Sequence, residues 1–267
     1  MTREELRVVV KSLRVLDWWY FAFAPALGCA LTGAVCSSFW IYAGSAFSLA
    51  FAYAINTLGD IKSDPEGTNP LASLKSLSPL VAGIIYLPGA LVVLLALLQL
   101  ASPWLLISTF SGFVYSSQPF RLKEKPFLSD LANLGIFVPL LFACPHMSVS
   151  ARDFWWISYM SCQMEVAQVF HCNAHFEDDR RANLRNTAQF LGRKVYMVVG
   201  FLLGFISVVL SWFTRFWWLW GALGVCSMGI FLCLHLGILH PDRARTLHRL
   251  VALFVLFITF VLALYYV

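Results

Sequence analysis

Apolar runs alternate with short polar connections along the whole chain. The runs near 15–36, 38–60, 79–100, 103–119, 127–147, 153–176, 194–213, 216–238 and 246–267 each approach the length that crosses a bilayer. Lipid offers a backbone no hydrogen-bond partners, so each run is predicted to be helical. The pattern predicts an all-α, polytopic membrane protein of nine transmembrane helices, read as a single domain over 1–267. Residues 1–14 follow a different pattern. Arg3, Arg7, Lys11 and Arg14 recur at helical spacing opposite Leu6, Val10 and Leu13, which predicts an amphipathic helix on the membrane surface.

Composition agrees: the 267 residues are 60% hydrophobic and 12% charged, about half the charge of a soluble domain. The basic residues add a direction. With the N-terminus on one side, nine spans put seventeen of the nineteen Lys and Arg on that side, leaving only Arg152 and Arg215 opposite. That asymmetry places the N-terminus in the cytoplasm. The net charge of +5 then reflects topology and anionic lipid rather than nucleic acid. A cleavable signal peptide is not expected, because the first apolar run is too long and follows a stretch with acids as well as bases. The seven cysteines form no CxxC pair and are predicted to be small buried hydrophobes, without a structural disulfide or zinc site.

The cytoplasmic connections, 61–78, 120–126, 177–193 and 239–245, are the longer and more polar ones. The external connections at Ser37-Ser38, Ala101-Ser102 and Thr214-Arg215 are short, and only Pro145–Asp153 is longer. Elaborate loops carry function, so the active face is expected on the cytoplasmic side. Two acidic clusters lie there, at the ends of the second and sixth spans. Asp60 and Asp179 stand four spans apart, a faint echo of two four-helix halves with a ninth helix added.

In the first cluster Asn56, Asp60 and Asp64 follow at spacings of four, a ladder of side-chain oxygens down one helix wall. Asn56 and Asp60 fall near membrane depth, where polar groups are costly and tend to be functional. The second cluster holds Glu177, Asp178 and Asp179, followed by Arg180, Arg181 and Arg185. It closes a span that also carries Glu165, Gln168, His171, Asn173 and His175, as expected of a face lining a central cavity. Oxygen ligands of this kind suit Mg²⁺, and Mg²⁺ commonly holds a diphosphate. In a lipid-embedded chain that points to prenyl diphosphates. His171 and His175 are helix neighbours, yet no third transition-metal ligand stands at a usable spacing. A third element runs Tyr115-Ser-Ser-Gln-Pro119-Phe-Arg121-Leu-Lys123. There Arg121 and Lys123 are either interface anchors or grips for phosphate oxygens.

These motifs resemble the UbiA superfamily of intramembrane prenyltransferases. Its NxxxDxxxD motif matches Asn56, Asp60 and Asp64, with Asn69-Pro70 following. Its second motif, DxxxD with a basic stretch, aligns with His175 to Gly192 without a gap. The stretch from Tyr115 to Lys123, with Pro126 and Asp130, is similar to a third family signature. The wording is nearest to the lycopene elongase and chlorophyll synthase-like branch, and nine helices is also the family's count. There are three departures: His175 stands for the first Asp of the second motif, Asn183 for a glycine, and Asn186 for a threonine.

The resemblance implies a Mg²⁺-dependent transferase that moves a prenyl group from an allylic prenyl diphosphate to a lipophilic acceptor among membrane lipids. Asn56, Asp60 and Asp64 then bind metal on one side of the diphosphate, and Asp179 with Glu177 or Asp178 on the other. Arg121, Lys123 and Arg185 neutralise the leaving group. Asp60, Asp179 and Tyr115 are the expected catalytic residues, with the Asp17-Trp18-Trp19-Tyr20 run near the substrates. The 42 aromatic residues offer rings to line an apolar tunnel and stabilise a cation. The expected setting is a bacterial cell membrane with the active face cytoplasmic. A terpene cyclase on the same scaffold and a non-catalytic transporter or lipid-binding protein are the alternatives.

Overall fold

The computed structural model describes residues 2–32, 38–61, 64, 69–74, 78–144, 153–214 and 216–266, and among them every regular element is a helix. Lys62, Lys75, Arg152 and Arg215 of the charge pattern, Cys36, and most of the connection at Pro145–Asp153 lie outside the described residues.

Chain order gives α1 (Arg3–Ser12), α2 (Val15–Trp18), a 3-10 turn (Trp19–Phe23) and α3 (Ala24–Thr32), then α4 (Phe39–Gly59), α5 (Pro79–Leu97) and α6 (Trp104–Ser116). After these come α7 (Leu128–Phe137), extended by a 3-10 turn over Val138–Phe142, and α8 (Asp153–Ala174). The chain ends with α9 (Phe176–Arg181), α10 (Thr187–Leu191), α11 (Arg193–Ser211), α12 (Trp217–His235) and α13 (Pro241–Tyr266). Five of these are long and apolar enough to cross a membrane: α4, α5, α11, α12 and α13 over Pro241–Leu262. Helices α6 and α7 with its turn are apolar but shorter. Helix α8 has the length, with 22 residues, but its Glu, Gln, His and Asn side chains dilute its hydropathy. The first predicted run is broken: Arg14 takes a positive φ of 49° and the 3-10 turn interrupts α2 and α3.

The described residues form two compact units. One draws on 1–29, 35–123 and 131–147, the other on 30–34, 124–130 and 148–267. This differs from two four-helix halves, because most of the fifth run belongs with the first unit. Small buried hydroxyls explain that grouping. Ser48 Oγ donates to Ser108 Oγ at 2.8 Å, and Ser108 Oγ donates to the Ile136 carbonyl at 2.6 Å, tying α4, α6 and α7 together. Inside a membrane, small hydroxylated residues let helices approach closely and hydrogen-bond across the gap.

Around that contact Trp18, Leu49, Val92, Leu105 and Leu140 make one core. Cys29 and Cys144 of the same core are joined as a disulfide, which corrects the expectation of none. They stand 115 positions apart, so no local spacing announced the pair. A second core sets Val8 and Val9 of α1 against Phe51, Ile55, Leu71 and Ile85. A capping box starts α1: Glu5 N–H donates to Thr2 Oγ1 at 3.1 Å, and Thr2 N–H donates to Glu5 Oε2 at 2.7 Å. Val8, Val9 and Ser12 form its buried face, while Leu6 and Val10 of the predicted apolar face stay exposed.

In the second unit α8 packs against α11 and α13, and α11 against α12. Phe170 stacks on Phe231 with centroids 4.0 Å apart. Gln163 Nε2 donates to Ser207 Oγ at 2.6 Å, and the Tyr159 hydroxyl donates to the Trp220 carbonyl at 2.8 Å. These bonds satisfy the Gln163 amide nitrogen and the Tyr159 hydroxyl inside the bundle.

Candidate active site

Helix α4 ends where its sequence turns from apolar to acidic. Asn56 lies one turn before the end and Asp60 caps it, donating its backbone N–H to the Asn56 carbonyl at 3.0 Å. A single ammonium meets both side chains. Lys123 Nζ donates to Asn56 Oδ1 at 3.0 Å and forms a short ion pair with Asp60 Oδ1. Ser116 Oγ, at the end of α6, donates to the same Asn56 oxygen at 2.9 Å. Arg121 completes the group: Nη1 donates to the Gly59 carbonyl at 2.6 Å, and Nη2 lies 3.4 Å from Asp60 Oδ1. Asp60 and Lys123 are 9% and 8% exposed, so this ion pair is buried. Burial pulls the Lys123 ammonium pKa down, and the adjoining Asp60 carboxylate opposes that shift. Arg121 has a φ of 38°, strained backbone for a residue with a Cβ.

Asp64 lies one turn further out and exposed. Its backbone N–H donates to the Asp60 carbonyl at 2.9 Å, and its Oδ2 accepts from Asn69 Nδ2 at 2.9 Å. Partial burial, then the nearby Asp60 carboxylate, raise its pKa above the ordinary carboxylate value. Asn69 also donates to the Thr57 carbonyl at 2.8 Å and accepts the Leu71 N–H at 2.9 Å. The sequence reading left Asn69 without a role; it is the strut that holds Asp64 against the end of α4. Its position beside Pro70, an Asn starting a turn, was the available signal. Of the aromatic run, Trp18 enters the core and Asp17 pairs with Arg14 at 2.7 Å. Tyr115 is partly buried against the same core.

The second cluster is short and wetter. Helix α9 carries Glu177 and Asp178 on its exposed side, and Asp178 pairs loosely with Arg181 at 3.6 Å. Asp179 is half-buried, and its Oδ2 accepts from Asn186 Nδ2 at 2.8 Å. Asn186 also caps α10 by accepting the Gln189 N–H at 3.0 Å. Asn186 thus both caps the helix and gives Asp179 an amide donor. Asn183 has a φ of 54°. Glycine adopts this left-handed conformation freely and asparagine tolerates it better than most, which accounts for that departure. His175 turns its Nε2 to Arg245 Nη1 at 2.7 Å. Arg185 is exposed. The tail of the third signature is anchored in this unit: Phe127 N–H donates to Thr187 Oγ1 at 2.8 Å, and Ser129 Oγ lies 3.1 Å from the same hydroxyl.

The structure therefore gathers Asn56, Asp60, Arg121 and Lys123 at one point. It holds Asp64 one turn away and gives Asp179 its own support, with Glu177, Asp178 and Arg185 at the surface. Among the described residues no three His, Cys, Asp or Glu side chains group closely enough to hold a metal ion. The donor set of the first cluster nevertheless suits a hard cation, since Asn56 Oδ1 and Asp60 Oδ1 already converge on one positive group.

Comparison with known proteins shows what the chain is similar to. A lycopene elongase/hydratase from Corynebacterium glutamicum is 26% identical over 223 residues, 78% of this chain and 77% of that protein. A second from the same species is 25% identical over the same extent. A solved structure of a UbiA homolog from Archaeoglobus fulgidus bound to GPP and Mg²⁺ superposes with a TM-score of 0.71 at 19% identity, covering 96% of this chain and 99% of that one. The same homolog bound to DMAPP and Mg²⁺ gives 0.64 at 18% identity, covering 96% and 98%. At such identities the superposition speaks for the fold. Residues 18–261 match the UbiA prenyltransferase family, and the chain belongs to it.

Proposed function

We propose that this integral membrane protein transfers a prenyl group from an allylic prenyl diphosphate to a lipophilic acceptor, with Mg²⁺ as cofactor. The observation that carries the reading is the convergence of Asn56 Oδ1 and Asp60 Oδ1 on one cation, with Arg121 beside them. Membership of the family supports it, as do the GPP, DMAPP and Mg²⁺ bound by the archaeal homolog. The Corynebacterium relatives, named for lycopene elongation, favour a long apolar acceptor with an electron-rich double bond.

Asn56, Asp60 and Asp64 are the proposed metal ligands of the first motif, and Glu177, Asp178 and Asp179 those of the second. Bound Mg²⁺ supplies positive charge against which the diphosphate leaves. Arg121, Lys123 and Arg185 bind the remaining phosphate oxygens, so that charge developing on the departing diphosphate meets fixed donors. For Lys123 this means releasing Asn56 and Asp60 when metal enters, then turning to phosphate. Apolar helix faces and Tyr115 exclude water from the allylic cation. The C–O bond breaks with its electron pair on the diphosphate, a C–C bond forms to the acceptor, and the acceptor loses a proton. In this reading the chain acts as one prenyltransferase domain with nine spans, a cytoplasmic N-terminus and a cytoplasmic active face, in a bacterial membrane.

The test is a purified, lipid-reconstituted protein given labelled geranylgeranyl diphosphate, Mg²⁺ and a lipid extract. We expect a prenylated lipid and released diphosphate, both lost in Asp60→Asn and on chelation. A cyclic hydrocarbon formed without extract would make the protein a cyclase. No diphosphate release under any condition would leave transport or lipid binding as its role.

A further inference from the structure

We propose that Arg245, positioned by His175, is a diphosphate-binding residue beside the second motif, supplying the charge that a carboxylate at position 175 would recruit as metal. The inference rests on the prenyl-diphosphate reading above and deepens it.

In the second motif that the sequence resembles, the position aligned with His175 is the first aspartate, and this chain has histidine there. The Asp179 N–H donates to the His175 carbonyl at 2.9 Å. Residues 175 and 179 thus sit one helical turn apart, with side chains about 5–6 Å from each other. Whatever ligand Asp179 serves, the group at 175 stands beside it. In this structure that group is turned to Arg245, 2.7 Å away. A guanidinium only donates, so the His175 Nε2 lone pair is the acceptor. That nitrogen is engaged, and imidazole is in any case a poor ligand for Mg²⁺ beside a carboxylate. The motif has lost one oxygen ligand and its negative charge, and a permanent cation occupies the neighbouring space.

Three features hold Arg245 there. Ala244 and His248 are buried, so the first turns of α13 are packed and cannot drift. Arg245 itself is half-buried while Arg243 before it is exposed. The His171 ring meets the His175 ring edge-on, with centroids 4.8 Å apart, which fixes the imidazole that positions the guanidinium. A fixed, partly desolvated guanidinium is the side chain best suited to grip phosphate oxygens in two-pronged fashion. The second motif then binds diphosphate through fewer metal ligands and one more direct contact.

The test uses the full chain in lipid nanodiscs and a non-ionising geranylgeranyl thiolodiphosphate as probe, with binding read by calorimetry in saturating Mg²⁺. A charge-assisted hydrogen bond lost in Arg245→Gln lowers probe affinity about tenfold or more. Arg245→Lys recovers part of this loss, and the melting temperature of the ligand-free protein stays near wild type. His175→Asp restores a carboxylate, so the Mg²⁺ concentration needed for half-maximal probe binding falls. Wild-type probe affinity in Arg245→Gln would overturn the proposal. So would equal losses of affinity and thermal stability in both Arg245 variants, which would make the contact a structural tie. Failure of the wider reading looks different: the probe would not bind wild type, or would bind Asp60→Asn equally well.

Discussion

A lysine ammonium and a magnesium ion call for the same oxygens at Asn56 and Asp60. Lys123 satisfies them in the ligand-free chain, and its burial carries a desolvation penalty that its contacts with Asp60 and Asn56 offset. Removing it takes away a close counter-charge of the Asp60 carboxylate, to which Arg121 Nη2 lies at 3.4 Å. Lys123→Met should therefore destabilise the metal-free protein by about 3 kcal/mol, the scale of breaking a buried pair. It should also enlarge the stabilisation gained on adding Mg²⁺, because the ion no longer displaces a competitor. Melting curves with and without Mg²⁺ check both parts; a variant with unchanged melting and unchanged metal response would show that Lys123 does not compete with metal at Asn56 and Asp60. The sequence displayed Asn56, Asp60 and Asp64 openly through their spacing. It left Lys123 and Arg121 divided between anchoring and phosphate binding, since a cation 63 positions from Asp60 meets it only after folding.

Two helices carry that meeting. Helix α4 brings Asn56 and α6 brings Ser116, and they cross without room for larger side chains. A Cβ on Gly112 would lie 2.6 Å from Ala52 Cβ and 3.0 Å from Ala52 Cα; one on Gly59 would lie 2.7 Å from the Ser116 carbonyl oxygen. These contacts involve backbone or backbone-proximal atoms and cannot yield by a rotamer change. Gly112→Val is expected to force the helices apart, cost about 1–3 kcal/mol, and weaken metal and substrate binding together. Gly83→Ala, with nothing within 4 Å of its new Cβ, should do neither. Thermal stability and Mg²⁺-dependent probe binding of the two variants decide the point. Periodicity revealed the helices themselves, but the breaks in the first run, the 3-10 extension of α7 and the inward face of α1 depended on neighbours. Val8 and Val9 are buried because Leu71 and Ile85 lie against them, a contact that no pattern within residues 1–14 contains.

For the whole molecule, the proposed transfer draws on both acidic motifs. Groups that act on one leaving group are strongly non-additive. Asp60→Asn and Asp179→Asn should each lower kcat/KM by about two orders of magnitude or more, and the double variant should be scarcely worse than either. Losses that multiply would mean the two motifs act independently, and kcat/KM of the four proteins measures which holds. Exposed Leu94, Leu97, Phe254 and Phe257 on α5 and α13 suit lipid contact and accord with an integral membrane protein.

The sequence by itself determined that the chain is helical, apolar and built for a bilayer, and it displayed both acidic motifs, because these follow from local periodicity and local composition. It also carried the family resemblance through three ordered motifs. Only the tertiary structure decided that Lys123 bridges Asn56 and Asp60, that Asn69 supports Asp64, that Cys29 meets Cys144, and that Arg245 answers the histidine at 175. Each of those contacts joins residues separated by a turn or by whole helices. Such contacts are selected by packing and by the cost of leaving a buried polar group unpaired, and neither is written into the spacing of residues along one segment.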